Sequence, residues 1–204
     1  MHKLSTAFVL GYHGCDRAVG ERLLQNDPFK QSQNDYDWLG HGIYFWEANP
    51  DRALSWAHEL ASRRKSKKPF EPYVVGAVIE LGFCLDLIST NGIEAVQQAY
   101  EGLVATAKSA GVELPENSGG EDLLLRRLDC AVIQYLHESR NVSGEPSFDT
   151  VRAVFTEAMR LYENSGFREK THIQICVAKP EMIKGVFRVP DHHFSKSAKK
   201  KSNK

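Results

Sequence analysis

The chain lacks net charge: 26 Lys and Arg stand against 26 Asp and Glu in 204 residues, a formal balance of +0. A neutral chain has no whole-molecule field to steer it onto nucleic acid, an anionic membrane or an acidic substrate, so a charge-driven partner must be met by a local patch. Paired cysteines are also missing. Cys15, Cys84, Cys130 and Cys176 are scattered without CxxC or Cys/His spacing, which excludes the patterns of a zinc ribbon or dithiol redox site and fits thiols of a reducing compartment. No apolar run approaches the roughly 18 residues of a membrane span. The N-terminal segment continues into Gly11-Tyr12-His13-Gly14 rather than a small-residue cleavage site, so it reads as a strand, and the expectation is a cytoplasmic protein with no membrane partner.

What is present is ordinary soluble-domain material, 42% hydrophobic and 25% charged. At this length folding buries about 70% of the unfolded surface, so one domain stands without disulfides or a structural metal. Ala7–Tyr12 reads as a strand, Arg17–Leu24 as a short helix and Gln25–Asp37 as a polar loop. Gly40-His41-Gly42-Ile43-Tyr44-Phe45-Trp46 runs from glycines into a β-branched and aromatic strand. Asn49-Pro50 supplies a cap and a first-turn proline for a helix over Pro50–Arg64, ended by the basic cluster Arg63, Arg64, Lys65, Lys67 and Lys68. Tyr73–Leu81 and Cys84–Leu87 read as strands. A helical middle follows, with helices over Gly92–Gly111 and Glu121–Glu138. The spacing of Val151, Val154, Phe155, Met159 and Tyr162 predicts another helix over Asp149–Tyr162. Thr171–Val177 and Gly185–Val189 read as closing strands. Strands, a helical insertion over 92–147 and strands again predict an α+β domain over 1–194, followed by a basic disordered tail over 195–204.

Three segments put polar and aromatic groups where a plain strand would not need them. Tyr12-His13-Gly14 sets a histidine at a strand end beside a glycine. Gly40-His41-Gly42-Ile43-Tyr44-Phe45-Trp46-Glu47 is followed one helical segment later by Ser55-Trp56-Ala57. In His172-Ile173-Gln174-Ile175-Cys176-Val177, His172, Gln174 and Cys176 share one face and the apolar residues the other.

In this order the segments resemble the ADP-ribosyltransferase superfamily, in its diphtheria-toxin and poly-ADP-ribose-polymerase-like branch. That branch carries a histidine in Y-H-G, a tyrosine in G-x-G-I-Y-F and a glutamate or substitute opening a late strand. The matches are His13, Tyr44 and Gln174, and the resemblance covers Phe8–Trp56, Val74–Leu87 and Phe167–Val189. It implies a split antiparallel β-sheet with a helical insertion, NAD as substrate and no metal. Tyr44 would stack on the nicotinamide with Trp56 as a second wall, Gly14 would grip the carboxamide, His13 would bond the adenosine ribose, and Arg52 would meet the pyrophosphate. Gln174 would bond the 2′-hydroxyl of the nicotinamide ribose.

The departure is Gln174. Cleaving the nicotinamide–ribose bond builds positive charge on the ribose, as in glycoside cleavage. A glutamine orients by hydrogen bonds but supplies no counter-charge. Glu157, expected on the preceding helix, or Glu169, just ahead of the strand, offers a carboxylate. His172 stands where arginine-modifying relatives carry an acceptor-selecting acid, and Phe167 lies in the loop where the superfamily keeps its target-recognition loop. The resemblance therefore implies transfer of ADP-ribose to a macromolecule, as an intracellular toxin or anti-phage effector with an antitoxin as partner. The basic tail and the Arg63–Lys68 cluster favour RNA or DNA over protein as acceptor. An NAD glycohydrolase, or an inactive module that binds NAD or ADP-ribose, are the alternatives.

Overall fold

A computed structural model describes residues 8–65 and 68–195 of the chain. The tail over 196–204, Ala7 and Lys67 lie outside the described residues. The elements run β1 (Phe8–Asp16), α1 (Arg17–Leu23), β2 (Ile43–Glu47), α2 (Pro50–Arg63), β3 (Pro72–Glu80), β4 (Cys84–Asp86), α3 (Thr90–Ala110), β5 (Asn117–Ser118), β6 (Leu125–Arg126), α4 (Arg127–Val142), β7 (Thr150–Arg160), β8 (Arg168–Val177) and β9 (Ile183–Arg188). The architecture is α+β. Seven strands form one sheet in the order β4-β7-β8-β2-β1-β3-β9.

The sheet is mixed rather than purely antiparallel, because β4 and β7 run parallel while every other neighbouring pair is antiparallel. A parallel pair needs a long crossover. The helical middle is that crossover, carrying the chain from β4 through α3, the β5–β6 ribbon and α4 to β7. Helix α4 begins at Arg127 rather than Glu121. Its first free N–H groups, on Leu128 and Asp129, donate to the Asn117 side chain at 2.9 and 3.2 Å, so a residue ten positions away in sequence fixes the start.

The larger correction concerns Asp149–Tyr162, which is not a helix but strand β7. Val151, Ala153, Phe155 and Glu157 are buried while Val154 and Thr156 are exposed, a period of two. Glu157 therefore sits on a strand.

The hydrophobic core lies on both sides of the sheet. Helices α3 and α4 cover one face at β4, β7 and β8, with Leu85, Ile133, Val151 and Phe155 among the buried contacts. On that same face α2 packs Ala53 against Tyr12, Trp46 and Val74. The opposite face buries Ile43, Phe45, Ile79 and Ile175, with Phe29 from the polar loop laid over them. At the centre β1 and β2 stay in register only at Gly11–Glu47 and Tyr12–Trp46. Beyond Tyr12 the His13 ring takes over, its Nδ1–H donating to the Tyr44 carbonyl at 2.9 Å, while β1 remains fully paired with β3 on its other edge.

Helix α2 reaches β1 through Gly14. A Cβ there would stand 2.1 Å from the Ala53 carbonyl oxygen, a backbone contact that no side-chain rotation relieves. Gly14→Ala is expected to destabilise the fold by about 3 kcal/mol, read as a lower denaturant midpoint with an unchanged slope.

Candidate functional site

Strand register assembles the site. Trp46 pairs with Gln174, Ala153 with Gln174, and Phe155 with His172, so these residues share the face that α2 covers. Glu157 follows two positions after Phe155 on the same face. From α2, Arg52 reaches into this cluster. It is 8% exposed and Glu157 is 5% exposed, so both charges are withdrawn from water.

The polar groups form a chain of alternating charge. Arg52 Nη2 meets Glu157 Oε1 at 3.3 Å, Arg52 Nη1 meets Glu59 Oε1 at 3.5 Å, and Lys170 Nζ meets the same Glu59 oxygen at 2.9 Å. Buried charges persist when each is paired, and loss of one partner strands the other. Arg52 also lies over the Trp46 ring, 5.5 Å from its centroid, and Trp46 packs beside Trp56. Arg52 Nε and Trp46 Nε1 are buried donors without a hydrogen-bond partner.

The neighbours of His172 fix its tautomer. Nδ1–H donates to the Lys170 carbonyl at 3.0 Å, which leaves Nε2 as the acceptor of the Gln174 amide at 3.1 Å. Glu157 Oε1 lies 3.6 Å from the same Nε2. Burial, and then the charge of Arg52, push His172 down to about 4, so the ring is neutral at pH 7. Gln174 spends one amide hydrogen on this ring and keeps its carbonyl oxygen as an acceptor.

The structure thus brings Arg52, Glu157, His172 and Gln174 together. Tyr44 pairs with Cys176 on the same face, one register step along, and its hydroxyl donates to the Gly40 carbonyl at 2.6 Å while accepting the Leu39 N–H at 2.8 Å. That bond pins the turn at Gly40, whose φ is +76°. Burial raises the Tyr44 pKa well above the usual range. His13 points to the opposite face, its ring against Phe29 and Phe45, and burial lowers its pKa. Gly14 is occupied by its contact with Ala53. Phe167 and Glu169 lie apart from the cluster, both exposed. All four cysteines are free, and burial pushes Cys15 up to about 12 and Cys130 to about 11, which keeps these two thiols protonated.

Glu59, Lys170 and Trp46 escaped the sequence reading as site residues. Glu59 stands seven residues after Arg52, two turns along the same helix face, which is the signal that would have found it. Among the described residues no group of three His, Cys, Asp or Glu is arranged to hold a metal, and no helix is long and apolar enough to cross a membrane.

No family model matches the chain, and no solved structure does. An uncharacterized protein of Methanocaldococcus jannaschii is similar to it, 28% identical over 188 residues that cover 85% of this chain and 83% of that protein.

The neutral His172 has a pH consequence. Its pKa is lower folded than the usual 6.5, so the unfolded chain binds the proton first; stability is full above about pH 6.5 and is lost as pH falls toward 4. Wild type is expected to lose about 2 kcal/mol more than His172→Asn between pH 7 and pH 5, measured by urea unfolding at both values. His13 and His137, also lowered by burial, are common to both proteins and cancel in the difference.

Proposed function

We propose that this chain is an NAD-dependent ADP-ribosyltransferase that acts on a macromolecular acceptor. The observation that carries the reading is Glu157. The resemblance of the strand motifs leaves Gln174 in the place of a glutamate, without the charge that a ribosyl cation needs. Glu157 brings a buried carboxylate to the same sheet face, and both side chains meet at His172 Nε2. Charge and orientation are divided between two residues. The carboxylate opposes the positive charge that develops on the ribose as nicotinamide leaves, and the Gln174 carbonyl accepts the 2′-hydroxyl.

Other features support the same chemistry. The short register between β1 and β2, with strands parting after Tyr12, fits the split sheet that the resemblance implies. Arg52 Nε and Trp46 Nε1 are donors in need of a polar partner, and the pyrophosphate and carboxamide of NAD are partners of that kind. Tyr44 and Trp56 are the aromatic walls of the reading, whereas His13, whose ring packs on the opposite face of the sheet, and Gly14, closed by Ala53, do not enter it. The acceptor meets the protein at the turn between β7 and β8, where Met159, Leu161, Tyr162 and Phe167 are all more than half exposed. His172, behind that turn, faces the reacting centre and is neutral. With the basic sequences of the Arg63–Lys68 cluster and of the tail, RNA or DNA is the favoured acceptor, and an intracellular toxin or defence effector the favoured setting.

Purified protein incubated with NAD labelled in the adenylate part, together with total RNA, DNA and protein, is expected to move label onto a macromolecule. Free nicotinamide without transfer would point instead to a glycohydrolase, and bound but intact NAD to a binding module. Glu157→Gln is expected to cut nicotinamide release by 100-fold or more, on the scale of removing one electrostatic catalytic group. Release by this variant at the wild-type rate would remove Glu157 from the chemistry. Phe167→Ala is expected to lower labelling of the acceptor about tenfold, a typical cost of one exposed aromatic contact, while nicotinamide release into water is unchanged.

A further inference from the structure

Strand β7 does not leave the sheet smoothly. Glu157 pairs with Lys170 and Arg160 with Arg168, so Ala158 and Met159 together oppose Glu169. The extra residue is a bulge, and Ala158 takes φ +66°, a left-handed backbone that a residue with a Cβ holds only under constraint.

The constraint is visible. The Ala158 N–H donates to Asp122 Oδ2 at 2.9 Å, and Arg168 Nη1 donates both to the Ala158 carbonyl at 3.2 Å and to Asp122 Oδ1 at 3.0 Å. Both polar groups that the bulge removes from the ladder are thus closed in a ring with two side chains. Arg168 is anchored further by Glu121 at 2.7 Å. Asp122 belongs to the turn before β6, inside the crossover between β4 and β7. The bulge also sets what faces the site. An unbroken alternation would carry Met159 onto the face of Phe155 and Glu157, yet Met159 is 72% exposed, so Glu157 is the last side chain of β7 directed inward.

We propose that Asp122 and Arg168 are positioning residues that aim the Glu157 carboxylate by locking the Ala158 bulge, and that the crossover thereby completes the site. This rests on the reading of Glu157 as the catalytic carboxylate. Asp122→Ala releases the bulge, whereas glycine at 158 adopts the left-handed backbone without a clamp.

The experiment compares the full-length wild type, Asp122→Ala, Ala158→Gly and the double variant, with two readouts. Nicotinamide release gives kcat and KM, and side-chain NMR signals of Arg52 and His172 report on the geometry around Glu157 without activity. Asp122→Ala is expected to lower kcat about 10- to 100-fold, the effect of a misplaced group, with KM changed less than about threefold and the Arg52 and His172 signals shifted. The double variant is expected to recover most of kcat and the wild-type signals, and Ala158→Gly alone to resemble wild type. Wild-type kcat and unmoved signals in Asp122→Ala would overturn the proposal, as would a loss in a folded Asp122→Ala that glycine at 158 does not restore. Where wild type releases no nicotinamide but the signals shift and return, the catalytic reading fails and the positioning stands. Should Asp122→Ala not fold, Arg168→Gln, which breaks the ring from its other side, is read by the same criteria.

Discussion

The pairing of Arg52 with Glu157 is the constraint on which the arrangement of this molecule depends. A buried guanidinium cannot stand without counter-charge, and Arg52 finds it on β7 through Glu157 and on its own helix through Glu59. The next residue, Ala53, rests its carbonyl against Gly14 of β1. Two consecutive residues of α2 therefore tie the helix to strands on opposite sides of the opening between β1 and β2. The helix cannot shift toward one half of the sheet without breaking contact with the other. Rigidity at the parting strands follows from that double attachment.

The outer half of the sheet is ordered by a different logic. β4 and β7 run parallel, so the chain between them must cross over the sheet, and α3 and α4 bury that face as they do so. The turn before β6 then meets the far end of β7 through Asp122. The helical insertion is the connection the topology requires, and through Asp122 it touches the strand that carries Glu157.

Much of this was legible in the sequence. The glycine-to-aromatic run of β2, the Asn49 cap and Pro50 start of α2, and the valine- and isoleucine-rich run of β3 each rest on local chemistry and occur as read. β7 was not legible, for a reason that bears on function. Its inward positions are Val151, Ala153, Phe155 and Glu157, a small residue and a charge among two large apolar ones, while the outward Val154 is apolar. The charged residue destroys the alternation that marks a strand, and Val151, Val154 and Phe155 happen to fit a helical spacing. Glu157 was hidden as a strand residue by the ionisable group that makes it interesting. The Arg52 to Glu157 contact spans 105 residues in sequence, and no local pattern announces it.

The amide at 174 gains meaning from the same contact. His172 Nε2 is approached by Gln174 at 3.1 Å and by Glu157 at 3.6 Å. Because Nδ1–H is committed to the Lys170 carbonyl, Nε2 offers only a lone pair and needs a donor, which an amide provides and a carboxylate does not. Two carboxylates converging on one neutral imidazole, in a site with Arg52 as the buried cation, would drive one of them to hold a proton or the ring to gain one. Glutamine avoids that outcome: it satisfies His172, leaves the negative charge to Glu157 alone, and keeps a carbonyl oxygen available. On the proposed reading, Glu157 on the neighbouring strand supplies the acid that position 174 does not, with Arg52 placed to balance it.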